Sequence, residues 1–465
     1  MEKRYGLPTA IAMVIGIVIG SGVFIKGGKV LSLTGGNMGQ AVLVVGIVGL
    51  ICIICSLVFA ELGSKYEKVN GVVDYAEVAL GPKYAYYMGW FMTTIYYPSL
   101  SAILSFFAAM FTCELIGVQA LDFFNTGTVN AVAVGLGAGY LMIGYGINAL
   151  SPKLAGKLQV SMTVIKLIPL LLMAVVGTIV GLANGTTMTV LNTTTEASRG
   201  LFGGVTAFAF AYEGWIIATS INAELKDAKK NLPLALIIGA LFCTIVYCLY
   251  IFSMSSVGSV DTIIGTWPLG ETLPSIAFGN IFGGFAGTFV YVFIAVSCLG
   301  TMNGLIMGSC RGMYSVAVRG MGPRPEFYGD IDKQNNFSVK SSLIGLILAG
   351  FWYAWTVGIW MTGPDFMANL HTSLWIGWEP DEISIVTLYA MYIPMFIALM
   401  IKCKDFNPFR RYVMPALGVA CCLFMVYCCY VGKGPQQVVG YLIFFAVVML
   451  LGWVFDRFRR KNTTL

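Results

Sequence analysis

Apolar stretches of roughly twenty residues recur about twelve times along this chain, near residues 7–32, 38–62, 84–113, 128–149, 157–183, 200–223, 232–256, 278–307, 338–362, 383–402, 411–432 and 435–456. A helix rising about 1.5 Å per residue needs about twenty apolar residues to cross a hydrocarbon core of about 30 Å. Inside that core every backbone N–H and C=O must find a partner without water, which leaves helices and closed barrels as the spanning structures. The windows carry no long alternation of polar and apolar residues, so the sequence argues for helices over an outer-membrane barrel. Only 11% of residues are charged, against about 25% in soluble domains. No connection is long and polar enough for a soluble domain, so we expect one all-α membrane domain over residues 1–465, embedded in a lipid bilayer.

The net charge of +6 is explained by topology rather than by an anionic partner. With the N-terminus inside and twelve spans, 23 of the 28 Lys and Arg fall on the cytoplasmic side, in clusters such as Lys226, Lys229 and Lys230 or Lys402, Lys404, Arg410 and Arg411. Lys26, Lys29, Arg199 and Lys433 fall on the outer side, and Lys166 within a span. This asymmetry is the positive-inside rule; it predicts a multi-pass protein of the cell membrane with both termini cytoplasmic, and leaves no case for nucleic-acid binding. The first apolar segment is span-length and lacks a small-residue cleavage site, so it reads as a first helix and not a signal peptide.

The remaining chemistry is sparse. Most of the twelve cysteines lie within spans, where Cys packs as a small apolar residue, so the C-x-x-C of Cys52 and Cys55 reads as packing. One histidine, His371, in an outer loop, supports neither a histidine metal site nor a catalytic one, and no metal or cofactor is implied. Sequons at Asn184 and Asn192 permit glycosylation only in a eukaryotic setting.

Two spans are interrupted. The first reads AIAMVIGIVIGSGVFI with Gly20-Ser21-Gly22 in its middle; the sixth reads GVTAFAFAYEGWIIATSI with Glu213-Gly214 in its middle. Each opens a set of five spans, about 7–183 and about 200–402, followed by two extra helices at about 411–456. Five crossings return the chain to the opposite side, so the two sets are inverted with respect to one another, and matched glycine-interrupted helices point to a transporter site at the repeat interface. A break leaves N–H groups of one half-helix and C=O groups of the other without intrahelical partners. A zwitterion supplies both complements, carboxylate for the N–H groups and ammonium for the carbonyls. Close packing of small residues is the competing explanation for Gly20-Ser21-Gly22.

Four motifs, IGIVIGSGVFI (15–25), FAYEGW (210–215), NLPLAL (231–236) and SCLGTMNGLIMGSCRGMYSVAVRG (297–320), resemble the amino acid–polyamine–organocation superfamily, specifically its L-amino-acid transporter family and bacterial relatives. The resemblance covers spans one to ten. It implies a five-plus-five inverted-repeat (LeuT-like) fold with discontinuous helices 1 and 6, twelve transmembrane helices in all, and alternating access. It further implies carboxylate binding at Val18, Ser21 and Gly22, and ammonium binding at carbonyls of Phe210, Ala211 and Glu213. Phe210 matches the aromatic gate that closes over substrate on the outer side.

Lys166 lies roughly ten residues into the fifth span, too deep for easy snorkelling. The resemblance implies that it occupies the place of sodium in sodium-coupled relatives, beside Ser297, and hence a sodium-independent exchanger of neutral L-amino acids; proton coupling through the same lysine stays open. Tyr247 and Asn303 either face the site or serve as anchor and helix glue. Glu61 reads as solvated or paired with loop lysines, and the first half of YAYYMGWFMTTIYY (84–97) as an interfacial belt. Glu213 has three readings: a structural acceptor, a specificity group that would favour cationic or hydroxyl-bearing substrates, or a proton carrier with a raised pKa. Its direct use on substrate would make the protein a cationic amino acid or polyamine transporter, the alternative function. In eukaryotic relatives, a partner glycoprotein is held by a disulfide from the loop after the third span; Cys113, at the end of that span, is the nearest cysteine, and the short tails favour a protein with no obligatory partner subunit.

Overall fold

A computed structural model describes residues 6–66, 71–118, 121–122, 128–191, 200–218, 225–257, 273–331, 338–361 and 378–462; His371, Asn192 and Arg199 lie outside them. Among the described residues the only strands are Leu121–Asp122 and Thr128–Val129, a two-residue antiparallel pairing. Among these described residues ten helices are long and apolar enough to cross a membrane, and Leu7–Val18 with Gly22–Leu33 adds a broken one, bent by 52°. The ten begin with Met38–Lys65 and Pro82–Leu115 and end with Phe409–Lys433 and Pro435–Arg457. This is a multi-pass membrane protein. The sixth window yields a shorter apolar helix, Gly200–Tyr212, and its residues 219–223 lie outside those described.

The eighth span departs from its window. The expected start at 278 falls in a separate helix, Leu273–Phe282, and the spanning helix runs Gly284–Ala317. Gly283, at φ 91°, turns the chain between them, a conformation that costs glycine nothing. Hydropathy could not mark this joint, because both sides of it are apolar.

The chain forms two compact units. One comprises Met1–Tyr75, Thr163–Ser297 and Ile385–Lys433. In it the helix Met38–Lys65 lies along Ala228–Ser253. The ring of Phe59 makes edge contacts with Trp215, Tyr392 and Phe396 at 4.7–5.5 Å, packing the second span against the sixth and tenth. At one end, Arg410 Nε donates to the Glu61 carboxylate at 2.7 Å. The partner of Glu61 is thus an arginine opening the eleventh span, where loop lysines were expected; the guanidinium fork suits a carboxylate. Lys65 pairs with Asp405, and the ammonium holds that carboxyl below the usual carboxylate range.

The second unit comprises Ala76–Met162, Cys298–Ser384 and Gly434–Leu465. Pro98 sits in the helix Pro82–Leu115 and has no N–H to offer the carbonyl of Thr94 four residues earlier. The indole Nε1 of Trp352 donates to that carbonyl at 2.9 Å, and the ladder locally widens into a π-turn at Met92–Tyr96. The aromatic run is not an interfacial belt at Tyr86 and Trp90. These are 2% and 5% exposed, and their polar tips donate to Gly452 and Val448 carbonyls at 2.6 and 2.9 Å, tying the third span to the last. Asn303 is glue: it accepts from Asn148 Nδ2 at 2.8 Å and donates to the Ala155 carbonyl and Gln159 Oε1, each at 3.0 Å.

Candidate functional site

The first break begins where Leu7–Val18 ends. Ile19 adopts extended backbone (ψ 104°), its N–H still bonded to the Ile15 carbonyl. The helix restarts at Gly22, with Phe24 and Ile25 N–H groups both reaching the Ser21 carbonyl at 3.1 Å. The hydroxyl of Ser21 is buried and has no hydrogen-bond partner. A buried hydroxyl without a partner costs about 1–3 kcal/mol, an arrangement expected where a ligand completes the bonding.

The second break follows the helix Gly200–Phe208, which tightens to a 3-10 turn at Ala209–Tyr212. Glu213 is extended (φ −67°, ψ 150°) and Gly214 takes φ 109°, a region closed to most side chains. The Phe210 carbonyl accepts from Glu213 N–H at 3.3 Å. The two breaks face each other backbone to backbone. A Cβ placed on Gly22 would lie 2.5 Å from Ala211 Cα, and one on Gly214 would lie 3.0 Å from an Ile17 methyl.

Tyr247, fully buried on the seventh span, joins the breaks. Its hydroxyl lies 3.1 Å from the Val18 carbonyl and 3.0 Å from that of Ala211. One phenolic proton serves two acceptors, so these carbonyls retain capacity for a further donor. The Val18 carbonyl is thus an acceptor on the first break, as the Ala211 carbonyl is on the second. Removing the hydroxyl with Tyr247→Phe should raise KM and lower kcat/KM about five- to tenfold, the effect of about 1–1.5 kcal/mol from one lost hydrogen bond. Initial-rate uptake by the inserted variant measures this; wild-type kinetics would remove Tyr247 from the site.

Lys166 is 1% exposed and donates from Nζ to the Gly16 carbonyl at 3.0 Å. It does not snorkel: its charge is held against the first half-helix, two residues before that helix ends. Ser297 is fully buried in the same compact unit. Cys52 on the second span and Tyr389 and Tyr392 on the tenth lie within electrostatic reach of the Glu213 carboxylate. Sequence reasoning missed two groups. Gly16, the acceptor for Lys166, carries no signal among the many span glycines. Lys26, read as lying on the outer side, is 3% exposed, with Nζ 5.6 Å from the centroid of the Phe210 ring; no local pattern connects residues so far apart in the chain.

Known proteins resemble this chain along most of its length. The serine/threonine exchanger SteT of Bacillus subtilis (strain 168) is 28% identical over 437 residues, 92% of this chain and 91% of its own. The b(0,+)-type amino acid transporter 1 of Homo sapiens is 28% identical over 351 residues, 71% of this chain and 69% of its own. The cystine/glutamate transporter of Homo sapiens is 25% identical over 383 residues, 76% of this chain and 74% of its own. The sequence pattern of the amino acid permeases matches residues 5–455. A helical membrane protein whose two broken helices face each other, matched by that pattern over nearly its whole length, belongs to the amino acid permease family, within the amino acid–polyamine–organocation superfamily.

Proposed function

We propose that the protein is a sodium-independent exchanger of neutral L-amino acids, working by alternating access in the cell membrane with both termini cytoplasmic and without an obligatory partner subunit. The observation that carries this reading is the pair of facing breaks. Carbonyls of Val18, Phe210 and Ala211 offer acceptors for an ammonium, and the Ser21 hydroxyl with the start of the helix at Gly22 offers donors for a carboxylate. Backbone groups thus read the constant part of an amino acid and leave its side chain to the surrounding pocket. The name of the relative covered along most of both chains, a serine/threonine exchanger, agrees with exchange and with small neutral substrates, whereas that of the cystine/glutamate transporter names an acidic one. Lys166 on the Gly16 carbonyl supplies a fixed cation where a sodium ion would otherwise be needed.

The proposed architecture is twelve spans in a five-plus-five inverted repeat. It is supported by how the compact units draw on the two halves. Spans one, two, six and seven fall in one unit, and spans three, four, nine and the larger part of eight in the other. Matching members of the two sets therefore fall in the same unit, a pairing that an inverted repeat makes natural.

The test is uptake of a labelled neutral amino acid into proteoliposomes, with and without internal amino acid and with and without sodium. Uptake should require internal substrate and ignore sodium. Uptake into empty vesicles would overturn exchange, and a strict sodium requirement would overturn the role given to Lys166. Inhibition by lysine and arginine, with none by serine, alanine or leucine, would replace the neutral reading with the cationic one.

A further inference from the structure

We propose that Lys26 is a positioning residue for Phe210, setting how the aromatic gate closes over substrate. The inference rests on the reading of Phe210 as that gate. Lys26 lies four residues beyond Gly22 in the half-helix Gly22–Leu33, on the same face one turn later. Both members of the pair are buried: Lys26 is 3% exposed and Phe210 6%. The ammonium stands over the Phe210 ring, 5.6 Å from its centroid, within the range of about 6 Å at which a cation is drawn to a ring face, and exclusion of water strengthens that attraction.

A buried lysine in a span is expensive and marks function by default. Phe210 has no polar atom through which a hydrogen bond could fix its ring. Its setting comes from packing and from the cation above it. The backbone contact of Gly22 with Ala211 fixes the separation between the helix carrying Lys26 and the segment carrying Phe210, so the lysine reaches the ring from a constant origin. Loss of the cation frees the ring without disturbing the carbonyls of the breaks. The consequence is a weaker hold on substrate, visible in KM more than in kcat.

The experiment is a double-mutant cycle read by uptake kinetics in proteoliposomes, with inserted protein quantified for each variant. Lys26→Met should raise KM about three- to tenfold with a smaller change in kcat. Lys26→Arg should restore KM, because a guanidinium also stacks on aromatic faces. In a Phe210→Leu background, Lys26→Met should add nothing further, since the ring it acts on is gone. An equal KM effect of Lys26→Met in both backgrounds would overturn the inference while Phe210→Leu itself remains impaired. Wild-type kinetics for Phe210→Leu would overturn the gate reading, and the inference with it. Should Lys26→Met not insert, Phe210→Tyr and Phe210→Trp in the native Lys26 background carry the test. Both rings keep a π face, so a KM near wild type for both supports the inference, and a KM as high as that of Phe210→Leu for both overturns it.

Discussion

Gly22→Leu is expected to abolish transport, by at least about a hundredfold in uptake rate, while the protein still inserts in the membrane. The reason is steric and local. A Cβ at position 22 would stand 2.5 Å from Ala211 Cα and 2.9 Å from Ala211 N. Where a new side chain meets another side chain, rotamers adjust at a cost of about 1–3 kcal/mol. Here it meets backbone, which has no rotamer to change, so the two breaks must separate. Separation moves the Val18 and Ala211 carbonyls off the shared Tyr247 hydroxyl and pulls the Ser21–Gly22 donors away from the acceptors on the other break. A zwitterion bridging the breaks then loses one of its two ends. Gly46→Leu is the matched control, since a Cβ on Gly46 meets nothing within 4 Å; it should transport as wild type. Substrate uptake by Gly22→Leu at the wild-type rate would take the first break out of the binding site altogether.

The spans and the breaks were legible in the sequence for different reasons. Span-length windows are imposed by the bilayer, so hydropathy located the broken first span and the ten long helices, though not where the eighth begins. Gly20-Ser21-Gly22 and Glu213-Gly214 stood out because a polar or flexible group inside a span is expensive unless used, and Gly214 does take a left-handed conformation. What could not be read is which side of an apolar helix faces protein. In soluble proteins a polar face marks the outside, but in lipid both faces are apolar. Tyr86 and Trp90 therefore read as an interfacial belt, although their N–H and O–H groups are spent on carbonyls of the last span. Asn303 stayed undecided for the same reason until its partners Asn148 and Gln159 were placed. The charge pattern that puts Lys26 on the outer side carries no sign that its ammonium packs over the Phe210 ring.

The second large effect is expected at Lys166. Its ammonium donates to the Gly16 carbonyl at 3.0 Å from a site only 1% exposed. A hydrogen bond from a charged donor contributes about 1.5–3 kcal/mol, so Lys166→Met should lower exchange by about ten- to 150-fold. Methionine keeps the length and apolar stem of lysine and leaves no buried polar group of its own, so the protein should insert and remain monodisperse. The loss is then one of function, because Gly16 lies two residues before the point where the first half-helix ends and the bond holds that end in place. Lys166→Arg should recover only part of the rate. It keeps the charge, but its planar fork cannot reproduce the point contact of an ammonium on one carbonyl. Full exchange activity in Lys166→Met would show that the first half-helix holds its end without the cation, and the sodium-substitute role would fall with it.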